Sequence, residues 1–182
     1  MTAQVKWIVG ISVLVTSVFC ASFVLLYTRS QEKSALSEFP STIEGRDFPA
    51  GRFTNLSGAT LDDRLLRTGK VIIVFVSPEC DVCDSESQFL RPLVNSRRDV
   101  KFYGIIPIGN RESALTAASQ PNRYPFEVYY DDDFVYQRAS SAIKIPIKIF
   151  LENGIVKRTW EGAARDGSEK IAFSKWLEDL TK

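Results

Sequence analysis

Cys80 and Cys83, with two residues between them, form the single C-x-x-C of a 182-residue chain that has three cysteines and no histidine. Two thiols at that spacing can close a disulfide, exchange it with a partner, or hold a soft metal ion. The third cysteine, Cys20, lies in an apolar run, so a disulfide-rich secreted scaffold is excluded. Without histidine the chain cannot build a Ser-His-Asp or Cys-His pair, nor any imidazole metal site. A tetrahedral zinc or iron-sulfur site would need two further ligands, and no other cysteine or histidine lies beyond residue 20. The formal charge of +1, from 23 basic and 22 acidic residues, gives no overall field that would draw nucleic acid.

The elements around the pair decide which chemistry is available. Lys70 to Val76, KVIIVFV, is an unbroken β-branched and aromatic run, as in a strand buried on both faces. Ser77-Pro78-Glu79 breaks it, and the spacing of Val82, Phe89, Leu90 and Leu93 predicts a helix from Cys80 to about Val94. Cys80 then stands at a helix N-terminus, where unpaired backbone N–H groups and the helix dipole favour a thiolate. Cys83, one turn deeper, is placed to attack a mixed disulfide on Cys80 and release the partner. Glu79, Asp81, Asp84 and Glu86 surround the pair with negative charge that opposes the thiolate. A rise of about one unit in the Cys80 pKa removes roughly 1.4 kcal/mol from the reduced form, which makes the dithiol a better reductant. Glu79 and Asp81, the immediate neighbours of Cys80, are the foremost candidates for this tuning.

The rest of the chain alternates strand and helix, which implies an α/β fold. Arg52–Leu56 reads as a short strand and Ala59–Leu66 as a helical turn with Asp62 and Asp63. Val100–Ile108, VKFYGIIPI, is a second buried strand, followed by a helix over Glu112–Ser119 that Pro121 ends. Phe126–Tyr130 is a third strand, and Asp131-Asp132-Asp133 opens a short helix to about Ile143, with the acids read as caps rather than metal ligands. Ile147–Leu151 and Ile155–Trp160 flank Glu152-Asn153-Gly154, a hairpin signal. A helix from about Gly167 to Leu180 buries Ile171, Phe173, Trp176 and Leu177 or Leu180. The aromatics Phe102, Tyr103, Tyr129 and Tyr130 fall within strands and read as core. Asn55-Leu56-Ser57 fits the glycosylation triplet and is given no role.

From Trp7 to Tyr27 about twenty residues pass without a charge, enough to cross roughly 30 Å of hydrocarbon at 1.5 Å per helical residue. Its Leu, Ile, Val and Phe residues favour insertion by on the order of 4 to 7 kcal/mol. The run exceeds the apolar core of a cleavable signal peptide, and Phe19 stands where lipoprotein processing before Cys20 would need a small residue. The organisation expected is a cytoplasmic stub at 1–6, a transmembrane anchor at 7–27, a linker at 28–47 and a folded domain at 48–182. Lys6 on one side and Arg29 and Lys33 on the other leave the charge rule nearly silent. The short stub favours the domain outside the cytosol, at the inner membrane and facing the periplasm or extracytoplasmic side.

VIIVFVSPECDVC followed by a helix, then KIPIKIFLENGIVKRTWEG, resembles the thioredoxin superfamily, and more specifically its membrane-anchored TlpA-like and MauD-like members. The resemblance covers roughly residues 48 to 182. It implies a thioredoxin-like fold, a central mixed sheet flanked by helices, and a thiol-disulfide oxidoreductase that needs no cofactor beyond the Cys80–Cys83 couple. It further implies a cis proline at Pro146 lying against the pair, with the backbone of Ile145 left open to an extended substrate. The stretch between the C-x-x-C and Pro146 is longer than in a minimal thioredoxin, which resembles the TlpA-like branch with its inserted strand and helix. Two positions depart from thioredoxin itself: Glu79 stands where a Trp precedes the first cysteine, and Val74 where the preceding strand carries a buried acid. The expected partners are protein thiols and disulfides and a membrane or soluble thiol donor, with reduction during maturation of extracytoplasmic proteins the favoured role. Two other uses of the same cysteines are a Cu(I) chaperone or maturation factor without turnover, and, more remotely, a peroxiredoxin-type peroxidase.

Overall fold

The computed structural model describes residues 43–136 and 145–181. The expected stub, the anchor at 7–27, most of the linker, and the greater part of the short helix expected after Asp133 (residues 137–144) lie outside the described residues. Among the described residues no helix is long and apolar enough to cross a membrane.

In chain order the elements are β1 (Phe53–Thr54), α1 (Asp63–Arg67), β2 (Lys70–Phe75), α2 (Asp81–Ser96) and β3 (Val100–Ile106). They continue with α3 (Arg111–Ala118), β4 (Glu127–Asp131), β5 (Ile147–Glu152), β6 (Ile155–Glu161) and α4 (Gly167–Thr181). The strands form one mixed sheet in the order β1-β4-β3-β2-β5-β6. β2 pairs in parallel with β3, and β3 with β4, while β1, β5 and β6 run antiparallel to the strands beside them. The unbroken apolar run of β2 follows from its central place. Ile72 and Val74 point into a core with Leu90 of α2, Phe150 of β5 and Phe173 and Leu177 of α4. Val71, Ile73 and Phe75 point into the opposite core with Leu66, Ile105, Tyr136 and Ile149. Each such side chain, fully withdrawn from water, contributes roughly 1.5–3 kcal/mol, and the two layers fix the sheet between helices.

Several expectations are refined. The strand expected at Arg52–Leu56 is only Phe53–Thr54, and the helical turn begins at Asp63, because Leu61 N–H donates to the Phe53 carbonyl at 2.8 Å and keeps residues 59–61 extended. Residues 43–47, assigned to the linker by sequence, are tied to β6: Gly45 N–H donates to the Val156 carbonyl, Asp47 bridges to Ile155, and Glu44 accepts from Thr159 N–H at 2.9 Å. Ile171 is 73% exposed, not buried. The buried stripe of α4 is set by Phe173 and Leu177, four apart, and Ile171 lies about 200° around the helix from Phe173. Of the three adjacent acids, Asp131 is buried and caps, taking Val135 N–H and Tyr136 N–H at 2.9 Å each. Asp132 pairs with Arg111 at 3.1 Å, and Asp133 accepts Arg52 N–H at 2.8 Å. The Asn153-Gly154 hairpin forms with both residues at positive φ, 51° and 84°.

Gly104, in the middle of β3, has a packing reason that no turn requires. A Cβ there would come within 2.8 Å of the Phe126 ring and 3.0 Å of Val128. Phe126 stacks on Tyr124, with ring centroids 5.9 Å apart, so the ring has little room to yield. Gly104→Ala is expected to destabilise the fold by about 1–3 kcal/mol through overpacking, seen as a lower midpoint in urea unfolding.

Candidate active site

Cys80 and Cys83 are joined as a disulfide at the mouth of α2, with Cα atoms 5.3 Å apart. The loop Ser77–Glu79 carries the chain from β2 to the helix and is held by short-range bonds. Cys80 N–H donates to the Ser77 carbonyl at 3.1 Å, and Glu79 N–H donates to Ser77 Oγ at 3.2 Å. Cys80 is the N-cap residue, and its Sγ accepts the backbone N–H of Cys83 at 3.2 Å. That N–H also donates to the Cys80 carbonyl at 2.9 Å, so at the helix start one donor is shared between the carbonyl and the first sulfur. Cys80 is half-buried while Cys83 is 1% exposed, so only the first sulfur faces a visitor.

The Ile145–Pro146 peptide bond is cis. Pro146 immediately precedes β5, whose first residue Ile147 is registered with Phe75 at the end of β2, so it lies at the same end of the sheet as the cysteine loop. Pro146 is buried and its carbonyl accepts Gly162 N–H at 2.9 Å; Ile145 is half-buried and packs on both cores.

The four acids expected to surround the pair separate into two kinds. Glu79 and Asp81 are exposed. Asp84 is clasped by Arg123, with Nε to Oδ1 at 3.0 Å and Nη2 to Oδ2 at 3.1 Å. Glu86 does not add surface charge: the helical period carries it to the face of Cys83 and Leu90, and its 1% exposed carboxylate is ion-paired with the 0% exposed Lys148. The Glu86 Oε2 also accepts Ala164 N–H at 2.8 Å, and the Lys148 ammonium donates to the Gly162 carbonyl at 2.6 Å and lies 5.2 Å over the Phe173 ring. Burial holds the Lys148 ammonium below the ordinary lysine range, and the Glu86 charge works against that drop. Tyr124 donates its phenol proton to the Ser77 carbonyl at 3.3 Å, and burial above all pushes that phenol up to about 12, so it stays a donor at neutral pH.

Arg123, Tyr124 and Lys148 were not singled out from sequence. Lys148 had a readable signal, since a lysine inside the apolar run IPIKIF alternates onto the same face as Phe150 and must find an acid there. Arg123 and Tyr124 had none, because only the fold brings the segment after α3 beside the cysteine loop.

Several solved structures are similar to this one in fold. A putative thiol:disulfide interchange protein DsbE from Chlorobium tepidum matches with a TM-score of 0.63 at 14% identity, over 76% of this chain and 98% of its own. The thioredoxin domain of a thiol-disulfide oxidoreductase from Bacteroides vulgatus matches at 0.58 and 14%, over 76% and 98%. A secreted Mycobacterium tuberculosis disulfide oxidoreductase homologous to E. coli DsbE matches at 0.56 and 20%, over 70% and 94%. The fold is thioredoxin-like. No protein-family model and no curated protein matches the sequence. Between the helix of the C-x-x-C and Pro146 the chain passes through β3, α3 and β4, and the segment joining α3 to β4 delivers Arg123 and Tyr124 to the site.

Proposed function

We propose that the chain is a membrane-tethered protein thiol-disulfide oxidoreductase that works through Cys80 and Cys83. The observation that carries this reading is the paired sulfurs at the mouth of α2, the first reachable and capped by an N–H, the second buried behind it. The names of the similar solved structures agree with it. The uncharged run from Trp7 to Tyr27 supports the tether, with the domain on the extracytoplasmic side.

The chemistry follows from the geometry. In the dithiol form Cys80 attacks, as thiolate, one sulfur of a partner's disulfide, and the partner's other sulfur leaves as thiolate and takes up a proton. Cys83 then loses its proton and attacks Cys80 Sγ, which expels the partner's second thiolate and closes Cys80–Cys83. Two electrons pass to the partner, and a thiol donor restores the dithiol. Reduction is the favoured direction, because the exposed Glu79 and Asp81 flank Cys80 and oppose its thiolate; Asp84 and Glu86, each paired with a cation, add less than their number suggests. The Ile145 backbone beside Pro146 is the proposed seat of the partner's extended segment. Proteins maturing outside the cytosol are the proposed substrates.

Insulin reduction with dithiothreitol as donor tests the reading. The full-length chain in mild detergent should accelerate insulin precipitation, and Cys80→Ser should fall to the rate without protein. A chain that leaves the rate unchanged, yet takes up Cu(I) with both cysteines reduced, would replace exchange by metal delivery.

A further inference from the structure

Arg123 comes from the segment between α3 and β4, 39 residues beyond its partner Asp84, and its side chain is 16% exposed. Beyond its two bonds to the Asp84 carboxylate, Nη2 donates to the Pro78 carbonyl and Nη1 to the Ala117 carbonyl at 3.4 Å. Pro78 lies two residues before Cys80. Asp84 lies four residues after it, one helical turn along the same face of α2. A single planar guanidinium therefore grips the chain on both sides of the outer sulfur, a geometry its fork of donors permits and an ammonium does not.

Charge gives the grip a chemical consequence. Asp84 is the carboxylate one turn above Cys80, and Arg123 neutralises it in place. Among the described residues, the other charged groups on this part of α2 and its surroundings are the exposed Glu79 and Asp81, the Glu86–Lys148 pair within the core, and Arg165 and Lys170, which line a cavity of about 370 Å³ with Asp81 and Glu86. Ile145 and Pro146 present no charge from the β5 side. Resting on the exchange reading above, we propose that Arg123 is a positioning residue of the reaction: by clasping Asp84 and the Pro78 carbonyl it sets the thiolate character of Cys80 and hence the poise of the Cys80–Cys83 couple. The segment after α3 is thus the tuning element of the active site.

The test is a charge cycle on the full-length chain, with two readouts. One is the pH dependence of Cys80 alkylation by iodoacetamide, read on its own peptide by mass spectrometry; the other is the dithiol–disulfide equilibrium in glutathione buffers. Arg123→Gln leaves the Asp84 charge unopposed, so Cys80 should titrate at higher pH and the equilibrium should move about three- to tenfold toward the disulfide. Asp84→Asn leaves the guanidinium unopposed and should move both readouts by a similar factor the other way. The double variant should return to within about twofold of the parent, since removing opposite charges together cancels. Asp84→Asn keeps the bonds of Arg123 to Pro78 and Ala117, so it carries the test alone should Arg123→Gln fail to fold. If both single variants move the same way, or neither moves while insulin reduction persists, Arg123 only props the loop and the inference fails with the function intact. If the parent chain exchanges with neither glutathione nor insulin, the functional reading falls and takes the inference with it.

Discussion

Lys148→Met is expected to lose about 3–5 kcal/mol of folding stability, the cost of stranding one member of a buried ion pair. The variant leaves the Glu86 carboxylate, 1% exposed, without its cation, and leaves the Gly162 carbonyl without the ammonium that now donates to it. The remaining Ala164 N–H bond at 2.8 Å cannot hold a full negative charge in that core, so the carboxylate must take up a proton or draw in water. Glu86→Gln in the Lys148→Met background should recover about 1–3 kcal/mol, because a neutral amide still accepts the Ala164 N–H and no longer needs a counter-charge. Trp160 and Trp176 report directly, each packed on Phe173, whose ring faces the ammonium. Guanidinium unfolding followed by tryptophan fluorescence gives the four stabilities of the cycle. A single variant within about 1 kcal/mol of the parent would mean that water already solvates the pair, and that it is not the buried tie between α2, β5 and the loop after β6 described above.

That same pair marks the limit of what could be read before the fold was known. β2, β3, the Asn153-Gly154 hairpin and the cysteine-bearing helix are strong local signals: unbroken β-branched runs, a turn dipeptide with φ > 0, and an amphipathic period after a strand breaker. Those elements already place Cys80 at a helix start. What was not legible depends on contacts distant in sequence. Four acids near a cysteine look alike on paper, and only packing divides them into two exposed carboxylates, one clasped by Arg123 and one paired with Lys148. The phase of α4 at Ile171 is not legible because its polar and apolar residues are spread around the helix, and only the contacts of Phe173 and Leu177 with the sheet fix which side is inward. The fold starts earlier than its apolar pattern for a related reason: Glu44, Gly45 and Asp47 carry no such pattern, and their hydrogen bonds to β6 are invisible to periodicity.

A Cys83→Ala variant should convert the protein from a catalyst into a trap. The burial of Cys83 means a partner disulfide meets Cys80 first, and the covalent adduct formed there has one designed exit, attack by the second sulfur from within. Well-oriented intramolecular groups act at effective concentrations on the order of 10⁵ M, a level no millimolar external thiol reaches, so removing Cys83 slows resolution far more than it slows attack. Incubation of reduced Cys83→Ala with oxidised insulin should therefore accumulate a mixed disulfide, visible as a band of raised mass on a non-reducing gel and released by dithiothreitol. Cys80→Ser should give no such band, because of the two cysteines that remain Cys83 is buried and Cys20 lies in the apolar run, and the double variant should match it. Catalysed insulin reduction by Cys83→Ala should fall close to the uncatalysed rate. Equal adduct on Cys80→Ser and Cys83→Ala would place the two sulfurs on the same footing, contrary to an arrangement in which one is capped at the helix mouth and the other lies behind it. The asymmetry of exposure, rather than the C-x-x-C spacing alone, assigns attack to Cys80 and resolution to Cys83.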